Sequence, residues 1–211
     1  MYYFCSVKDK KYIEIIEGAA ENFMRYGVKA VTMDDLSRFL GISKKTIYKH
    51  FNDKKELVSF VLESKVKLNA EKCENLVAFA ENAIDELISV SNFVNTDFGS
   101  IHSSVFYDIE KYYPEAWQIL EQHKSQFVKN QIIKNIKRGI NEGLYRPNLN
   151  AEIVAVVYVN TLNSIFSSFY EYSNEYTISE ILTEVIRFMI RGLSTEKGLI
   201  ELKKRINKQH D

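Results

Sequence analysis

The chain has 211 residues with 28 basic and 28 acidic side chains, so its formal net charge is zero and a protein-wide basic field is excluded. Hydrophobic residues make up 45% of the chain, which is enough to bury the core of one large domain or two small ones. Only 8 Gly and 2 Pro occur, and this scarcity of turn residues favours an all-α protein over a β-sandwich or a barrel.

The cysteines and the hydropathy pattern predict a cytoplasmic protein. Cys5 and Cys73 show no metal-ligand spacing with any histidine, so we expect two free thiols in a reducing compartment. The start, MYYFCSVKDKK, lacks the charge order of a signal peptide. The longest uninterrupted apolar run, 153–159, is far shorter than the ~18 residues that a membrane span requires.

The N-terminal segment predicts two helices in succession. Apolar side chains recur with helical spacing over residues 9–26, and Gly27 is placed to end that helix. Thr32 stands three residues before Asp35, which is the spacing of a capping box. We therefore expect a short second helix that reaches about Leu40.

A third helix follows after a glycine turn. Gly41 allows a sharp turn, and Ser43 can cap a helix over residues 44–50. Two short helices joined by such a turn form a helix-turn-helix. Ile47 and Phe51 lie four residues apart on one face, so they are expected to be buried while the polar side chains point outwards.

The outward side chains have the chemistry of a DNA reader. Residues 41–55 hold five lysines and one aspartate, a local basic patch on a neutral chain. Lysines and hydroxyls near the N-terminus of a helix can contact bases in the major groove. A charge run on a short helix is often only a solvated face, but the cap, the turn and the apolar pair favour DNA contact. Base-reading candidates are Lys44, Lys45, Thr46, Tyr48 and Lys49, and candidates for phosphate contact are Tyr48, Lys54 and Lys55.

Residues 32–57, TMDDLSRFLGISKKTIYKHFNDKKEL, resemble the DNA-binding region of TetR-family transcriptional regulators. The resemblance extends over about residues 10–60, a quarter of the chain. Ser37 departs from the alanine that is usual in the family, and both residues are small. The features that carry the resemblance are Thr32, Gly41-Ile42-Ser43, Ile47-Tyr48, His50-Phe51, and Lys54 three residues before Leu57.

The resemblance implies a three-helix helix-turn-helix DNA-binding domain over residues 1–53 and a helical ligand-binding and dimerisation domain over residues 54–211. It also implies phosphate contacts from Thr32, Tyr48 and Lys54, and groove contacts from residues 43–49. The complete set of predicted DNA-binding residues is Thr32, Ser43, Lys44, Lys45, Thr46, Tyr48, Lys49, His50 and Lys54.

The remaining two thirds predict further helices with less clear ends. Asp53 and Glu56 can cap a long helix that starts at Lys54 and runs towards residue 80. The polar stretch 89–95 and residues 97–100 are expected to interrupt helical structure. Pro114 can open a helix that runs to about residue 142, because proline is favourable in a first turn, and Gly143 can end it.

The last part of the chain predicts a pair of apolar helices. Residues 151–172 keep helical apolar spacing over a length that excludes a strand. Thr177 and Glu180 form a capping box for a final main helix that reaches Arg191. In the resembled family such a pair forms a four-helix bundle with a second copy, so we expect a homodimer. The alternative is that the two helices bury only the core of their own chain.

Six residues are candidates for binding a small molecule, because they combine polar or aromatic chemistry with apolar surroundings. For any one polar residue among them, a hydrogen-bonded structural role is the alternative, and for an aromatic one a core position. Residues 153–170 contain no acidic side chain, which argues weakly against a cationic ligand on that helix, whereas Asp97, Asp108 and Glu110 keep a cationic ligand open. The candidates are His102, Phe106, Tyr107, Asn160, Asn163 and Phe166.

These features favour a repressor that binds a palindromic operator on double-stranded DNA as a homodimer and is released by a small-molecule effector of unknown identity. The alternatives are a helical carrier or enzyme with a vestigial helix-turn-helix, and a structural DNA binder without a ligand. The sequence contains no GxSxG, HExxH, P-loop or GxGxxG motif, so we expect no catalytic residue. No cofactor, metal site or membrane partner is expected.

Overall fold

The computed structural model describes residues 10–99 and 101–207, and within these ranges it contains eleven α-helices, one π-helical segment and no β-strand. The all-α prediction is confirmed. The α-helices are α1 Lys10–Tyr26, α2 Met33–Phe39, α3 Lys44–Tyr48, α4 Lys54–Phe79, α5 Ala83–Phe98, α6 Val105–Tyr112, α7 Pro114–Gln122, α8 Lys129–Asn141, α9 Ala151–Tyr172, α10 Ile178–Leu193 and α11 Glu196–Asn207. The π-helical segment His123–Val128 lies between α7 and α8.

Packing divides the chain into two compact units. Unit 1 consists of residues 1–67 and 101–120, and unit 2 consists of residues 68–100 and 121–211. Unit 1 therefore contains α6 as well as α1 to α3 and the start of α4. A packing unit is not a functional domain, and the functional division after residue 53 stays a prediction.

Local capping explains the ends of the helices in unit 1. The Thr32 hydroxyl accepts a hydrogen bond from the Asp35 N–H at 3.1 Å, and the Asp35 carboxylate accepts one from the Thr32 N–H at 2.9 Å. These two bonds are the predicted capping box of α2. Gly27 and Gly41 adopt positive φ angles of 89° and 63°, which other residues rarely adopt, so glycine is required where α1 and α2 end.

The core of unit 1 is built on the predicted apolar faces. Leu36 and Ile47 have no exposed surface, and Phe51 is 1% exposed, so the two short helices pack through the residues that the sequence indicated. The start of α4 closes this core. The other fully or almost fully buried side chains of α1 and α4 are Ile15, Ala19, Phe23, Leu57, Val58 and Val61.

Unit 2 has its own apolar core, to which α5, α8, α9, α10 and α11 contribute. It does not depend on side chains from the helix-turn-helix. Its most completely buried members are Ala83, Ile84, Ile136, Tyr145, Ala155 and Ile190.

Three expectations about the middle and the end of the chain were wrong. Residues 89–95 do not interrupt a helix but lie inside α5, because Asn82 caps that helix by accepting hydrogen bonds from the N–H groups of Ile84 and Asp85. The helical stretch after Pro114 is interrupted by the π-helical segment. Beyond the predicted last helix, a further helix, α11, covers Glu196–Asn207.

Candidate functional site

The predicted reading helix, α3, presents its polar side chains to solvent. Ser43 caps it, since its hydroxyl accepts a hydrogen bond from the Thr46 N–H at 3.1 Å, and buried Ile47 anchors it. Thr46 and His50 are half-buried. The exposed side chains of the predicted set are Thr32, Ser43, Lys44, Lys45, Tyr48 and Lys49. This placement leaves them accessible to a nucleic acid, while their individual roles stay predictions.

Some of these side chains already have partners within the protein. Lys44 Nζ lies 2.5 Å from Asp34 Oδ1, in a pair whose side chains are 47% and 60% exposed. The hydroxyls of Ser43 and Thr46 are 2.9 Å apart. An exposed ion pair contributes about 0–1 kcal/mol, so Lys44 can exchange Asp34 for a phosphate at little cost.

Lys54 is more enclosed than the sequence indicated. Its Nζ donates a hydrogen bond to the Val28 carbonyl at 2.5 Å and lies 3.4 Å from the Lys29 carbonyl oxygen. Burial lowers the pKa of Lys54, and the charge of Asp108 partly offsets this effect. A phosphate contact by Lys54 stays a prediction. For that contact the ammonium must bind the phosphate in addition to the carbonyl groups of the loop between α1 and α2, or must give up its hydrogen bonds to that loop.

Helix α6 holds that same loop by several hydrogen bonds within unit 1. The His102 N–H donates to the Met24 carbonyl at 2.7 Å. The Lys29 N–H donates to Asp108 Oδ2 at 2.8 Å, and Lys29 Nζ lies 3.0 Å from the Tyr112 hydroxyl. The sequence did not predict this arrangement. The one local feature that indicates it is Asp108, a carboxylate in an aromatic-rich segment. If such a carboxylate is buried, it requires hydrogen-bond donors from other parts of the chain.

A surface cleft of about 510 Å³ lies beside these contacts. Lysines and tyrosines dominate its lining, which suits a phosphate group better than an apolar ligand. The residues that line it are Lys29, Asp53, Lys54, Lys55, Tyr112 and Tyr113. Lys54 and Lys55, which are the first two residues of α4, thus lie beside Lys29 of the loop between α1 and α2.

The structure separates the six predicted ligand-binding residues into two groups. His102, Phe106 and Tyr107 belong to unit 1, and the other three belong to unit 2. His102 is exposed with its Nδ1 3.1 Å from the Ser104 hydroxyl, and the Tyr107 hydroxyl accepts a hydrogen bond from Lys111 at 2.5 Å. These bonds are the hydrogen-bonded structural role that was the alternative to ligand contact for His102 and Tyr107.

In unit 2, Asn163 and Phe166 lie on one face of α9, whereas Asn160 is exposed. The Phe166 ring lies 5.7 Å from the Phe98 ring of α5 and 5.3 Å from Lys124 Nζ of the π-helical segment. Lys124 is only 2% exposed. The sequence did not predict a buried Lys124, because a lysine is almost always solvated unless tertiary structure encloses it.

Helices α9 and α10 also leave apolar side chains uncovered. Ile153 and Val157 of α9 are 61% and 59% exposed, and Phe188 of α10 is 82% exposed. By length and composition alone α9 could cross a membrane, a test that core helices of soluble proteins also pass, and 28% of its most apolar 18-residue stretch is buried. Among residues 10–99 and 101–207, no group of three or more His, Cys, Asp or Glu side chains is placed to hold a metal ion.

Comparison with known proteins supports the interpretation of the N-terminal helices. The profile of the bacterial regulatory proteins of the tetR family matches residues 15–60. The transcriptional repressor KstR2 of Mycobacterium tuberculosis is 21% identical over 192 residues, which cover 87% of this chain and 92% of the repressor.

Solved structures of regulators share the fold. The FadR regulator of Bacillus subtilis in complex with stearoyl-CoA has a TM-score of 0.67 at 16% identity, covering 86% of this chain and 99% of its own. A regulator from Saccharomonospora viridis in complex with choline has a TM-score of 0.72 at 17% identity, covering 90% of this chain and all of its own. These relatives and neighbours are regulators rather than enzymes. The profile match and the shared fold lead to one conclusion: residues 15–60 match the tetR family of bacterial regulatory proteins, and the chain as a whole has the all-α fold of solved TetR-family regulators.

Proposed function

We propose that this regulator is a cytoplasmic repressor that binds a palindromic operator as a homodimer and is released by a small-molecule effector. The observation that carries the proposal is the capped helix α3, whose exposed face holds Lys44, Lys45, Tyr48 and Lys49 over a buried Ile47. A helix of this kind can enter the major groove with its N-terminal residues at the base edges.

The exposed apolar surface of α9 and α10 supports a homodimer. Ile153, Val157 and Phe188 are each more than half exposed, and large apolar side chains left uncovered in this way can mark interaction sites. Two copies related by a two-fold axis also match the symmetry of a palindrome. A homodimer would therefore cover the exposed apolar side chains of α9 and α10, and it would present two copies of α3 to the two halves of a palindrome.

Release by a ligand is supported by the neighbours in fold. The two solved regulators above are in complex with stearoyl-CoA and with choline, and KstR2 is named a repressor. The helices of unit 2 offer buried polar groups beside aromatic rings, as around Phe166. We therefore place the effector among the helices of unit 2.

Coupling between effector and DNA has two candidate routes. Helix α4 contributes residues to both units without a glycine or proline along Lys54–Phe79, so it can transmit a shift as a rigid element. Helix α6 holds the loop between α1 and α2 through Asp108. By linkage, the effector and the operator must weaken each other's binding by the same factor, typically 5–150-fold.

The test is a binding selection of the full chain on random double-stranded DNA, followed by affinity measurements on the selected sites. We expect an enriched palindrome whose half-sites are contacted from major grooves about one turn apart, ~34–36 Å, or somewhat more. Enrichment of a single half-site would contradict the proposal that a homodimer binds a palindrome. Binding without any sequence preference would contradict the repressor and favour a vestigial helix-turn-helix.

A further inference from the structure

The surface cleft of unit 1 brings together basic side chains from two segments of the chain. Lys29 comes from the loop between α1 and α2, and Lys54 and Lys55 open α4. One acidic residue, Asp53, also lines the cleft, and its Oδ1 accepts a hydrogen bond from the Glu56 N–H at 2.8 Å. The lining thus holds three lysines against one aspartate, so the cleft has an excess of positive charge.

Two tyrosines at the end of α6 hold two of these ammonium groups in place. Lys29 Nζ lies 3.0 Å from the Tyr112 hydroxyl and 4.5 Å from the centre of the Tyr112 ring. Lys54 Nζ lies 5.7 Å from the centre of the Tyr113 ring. An aromatic face attracts an ammonium group without neutralising it. Because the lysines are already positioned, binding an anion costs them less side-chain entropy.

The ammonium groups keep protons for a further acceptor. A lysine ammonium has three donors. Lys29 donates to the Tyr112 hydroxyl, and Lys54 donates to the Val28 carbonyl at 2.5 Å. Both acceptors are neutral, so these hydrogen bonds leave the positive charges in place. The Lys55 side chain is exposed.

The cleft adjoins two residues that are predicted to contact DNA phosphates. Lys29 stands three residues before Thr32, which caps α2, and Lys55 directly follows Lys54. Thr32 and Lys54 are the two predicted contacts. Double-stranded DNA carries one negative charge per ~1.7 Å of its axis, so a duplex held by these two residues presents further phosphates nearby.

We propose that this cleft binds phosphate groups of the DNA backbone, with Lys29 and Lys55 as ammonium donors and Tyr112 as the residue that positions Lys29. The inference rests on the proposed DNA binding, to which it adds a surface outside the helix-turn-helix. Because Tyr112 belongs to α6, that helix takes part in holding the DNA. DNA is favoured over a small phosphate compound as the occupant, because the cleft is continuous with the predicted contacts of Thr32 and Lys54.

The test measures binding of the full chain to a duplex of about 30 bp and mixed sequence, which reports phosphate contacts without requiring the operator. Fluorescence anisotropy gives the affinity between about 50 and 200 mM salt. We expect Lys29→Gln and Lys55→Gln each to reduce the slope of log affinity against log salt by about 0.9, and the double variant by about 1.8. Over this range the original protein then loses about 3.5-fold more affinity than either single variant.

Two further variants control for effects other than a lost contact. Lys29→Arg keeps the charge, and Lys67→Gln removes an exposed charge of α4 outside the cleft, so both are expected to keep the original slope. Lys29→Gln retains the backbone N–H that donates to Asp108, so the contact between the loop and α6 is preserved. An unchanged slope in Lys29→Gln or in Lys55→Gln, or an equal fall in Lys67→Gln, would overturn the inference.

The role of Tyr112 is tested separately. Tyr112→Phe keeps the ring and removes the hydroxyl that holds Lys29. We expect DNA affinity to fall about two- to fivefold with an unchanged salt slope, as for the loss of one hydrogen bond. In the Lys29→Gln background the same substitution is expected to have no further effect. An equal loss in both backgrounds would show that Tyr112 does not act through Lys29.

Inorganic phosphate distinguishes DNA from a small phosphate compound as the occupant. We expect calorimetric titration to detect no binding at about 1 mM phosphate, since a single phosphate lacks the condensed counterions whose release favours DNA binding. If phosphate binds the original protein more tightly than Lys29→Gln while the salt slopes of the variants are unchanged, the cleft holds a small phosphate compound and the DNA assignment is wrong.

The selected DNA sites separate this inference from the proposed function. If the lysine variants lower the salt slope but the selection yields no palindrome, the cleft assignment stands and the proposed operator fails. If a palindrome is enriched and the salt slopes are unchanged, the proposed operator stands and the cleft assignment is rejected.

Discussion

The backbone N–H of Lys29 donates a hydrogen bond to Asp108 Oδ2 at 2.8 Å, joining two residues that are 79 positions apart in the chain. Asp108 is 5% exposed and also accepts a hydrogen bond from the Ser104 hydroxyl at 3.2 Å. This contact fastens helix α6 to the loop between α1 and α2, directly before the helix-turn-helix. The position of the helices that we propose to read DNA therefore depends on a segment that the sequence predicted to belong to the ligand-binding domain.

Asp108→Ala is expected to lower the free energy of unfolding by about 1–3 kcal/mol, because it leaves the partly buried Lys29 N–H without its acceptor. Urea denaturation followed by circular dichroism measures the change. Glu115→Ala, at an exposed position in the first turn of α7, is the control and is expected to stay within about 0.5 kcal/mol. Equal midpoints for the two variants would show that the contact is not stabilising.

Lys54→Ala is expected to weaken binding to all DNA sequences similarly and to reduce the slope of log affinity against log salt by about one, as for one lost phosphate contact. Lys45→Ala, on the exposed face of α3, is expected to change which bases are preferred. Lys67→Ala removes the same charge from an exposed position of α4 and serves as the control. An unchanged salt slope in Lys54→Ala would show that Lys54 does not contact a phosphate. Its role would then be limited to the hydrogen bond with the Val28 carbonyl.

Phe188→Glu is expected to convert a dimer into a monomer, since it places a charge on an apolar side chain that is 82% exposed and that the proposed dimer would cover. Light scattering coupled to size-exclusion chromatography at micromolar concentration measures the mass. Ile200→Glu, at a 57% exposed position of α11, is the control for a general effect of charge on exposed apolar residues. If the original protein is monomeric, or if the Phe188→Glu variant stays dimeric, the surface around Phe188 is not the dimer interface.

Stability at mildly acidic pH is expected to depend on His123. Burial lowers the pKa of this histidine, whose ring stacks on Phe127 at 5.1 Å, so the unfolded chain binds a proton at a higher pH than the folded chain does. The folded state therefore loses stability as the pH falls through the ordinary histidine pKa of 6.5 and on towards the lower folded value. His123→Phe keeps the stacking and removes the titration.

The measurement is the free energy of unfolding of both proteins between pH 7.5 and 5, within the range that histidine titrates. We expect the original protein to lose more stability than His123→Phe below about pH 6.5. His102→Gln, which replaces an exposed histidine, is the control. Parallel pH profiles for the original protein and His123→Phe would contradict the prediction.

Inserting two glycines after Ser64 is expected to uncouple the effector from the operator, because it interrupts α4 between Lys54 and Phe79. Operator affinity is measured with and without a compound found to raise the melting temperature of the original protein. Insertion after Asn174, in the turn between α9 and α10, is the control for a loss of folding. An effector response that survives the α4 insertion would point to the route through α6 and Asp108.

The sequence by itself determined the all-α class and the starts of the helices with a local capping signal. Helix formation and capping act between residues within about four positions, as in the pairs Thr32–Asp35 and Thr177–Glu180, so the local chemistry was sufficient. The same locality explains the helix-turn-helix, since Gly41, Ser43 and Ile47 specify its turn, its cap and its buried face. Asn82 follows the same capping rule, but the polar residues 89–95 after it have a composition that is typical of a loop.

Only the tertiary structure decided which distant side chains meet. Lys54 and Lys45 are both lysines of one basic stretch, and the sequence does not distinguish them. In the structure the ammonium of Lys54 donates a hydrogen bond to the Val28 carbonyl, whereas Lys45 is exposed. Lys124 lies on a predicted helix among polar neighbours, and nothing local shows that it is buried beside Phe166. Burial and long-range pairing depend on how separate helices pack, and the spacing of residues along one helix does not contain that information.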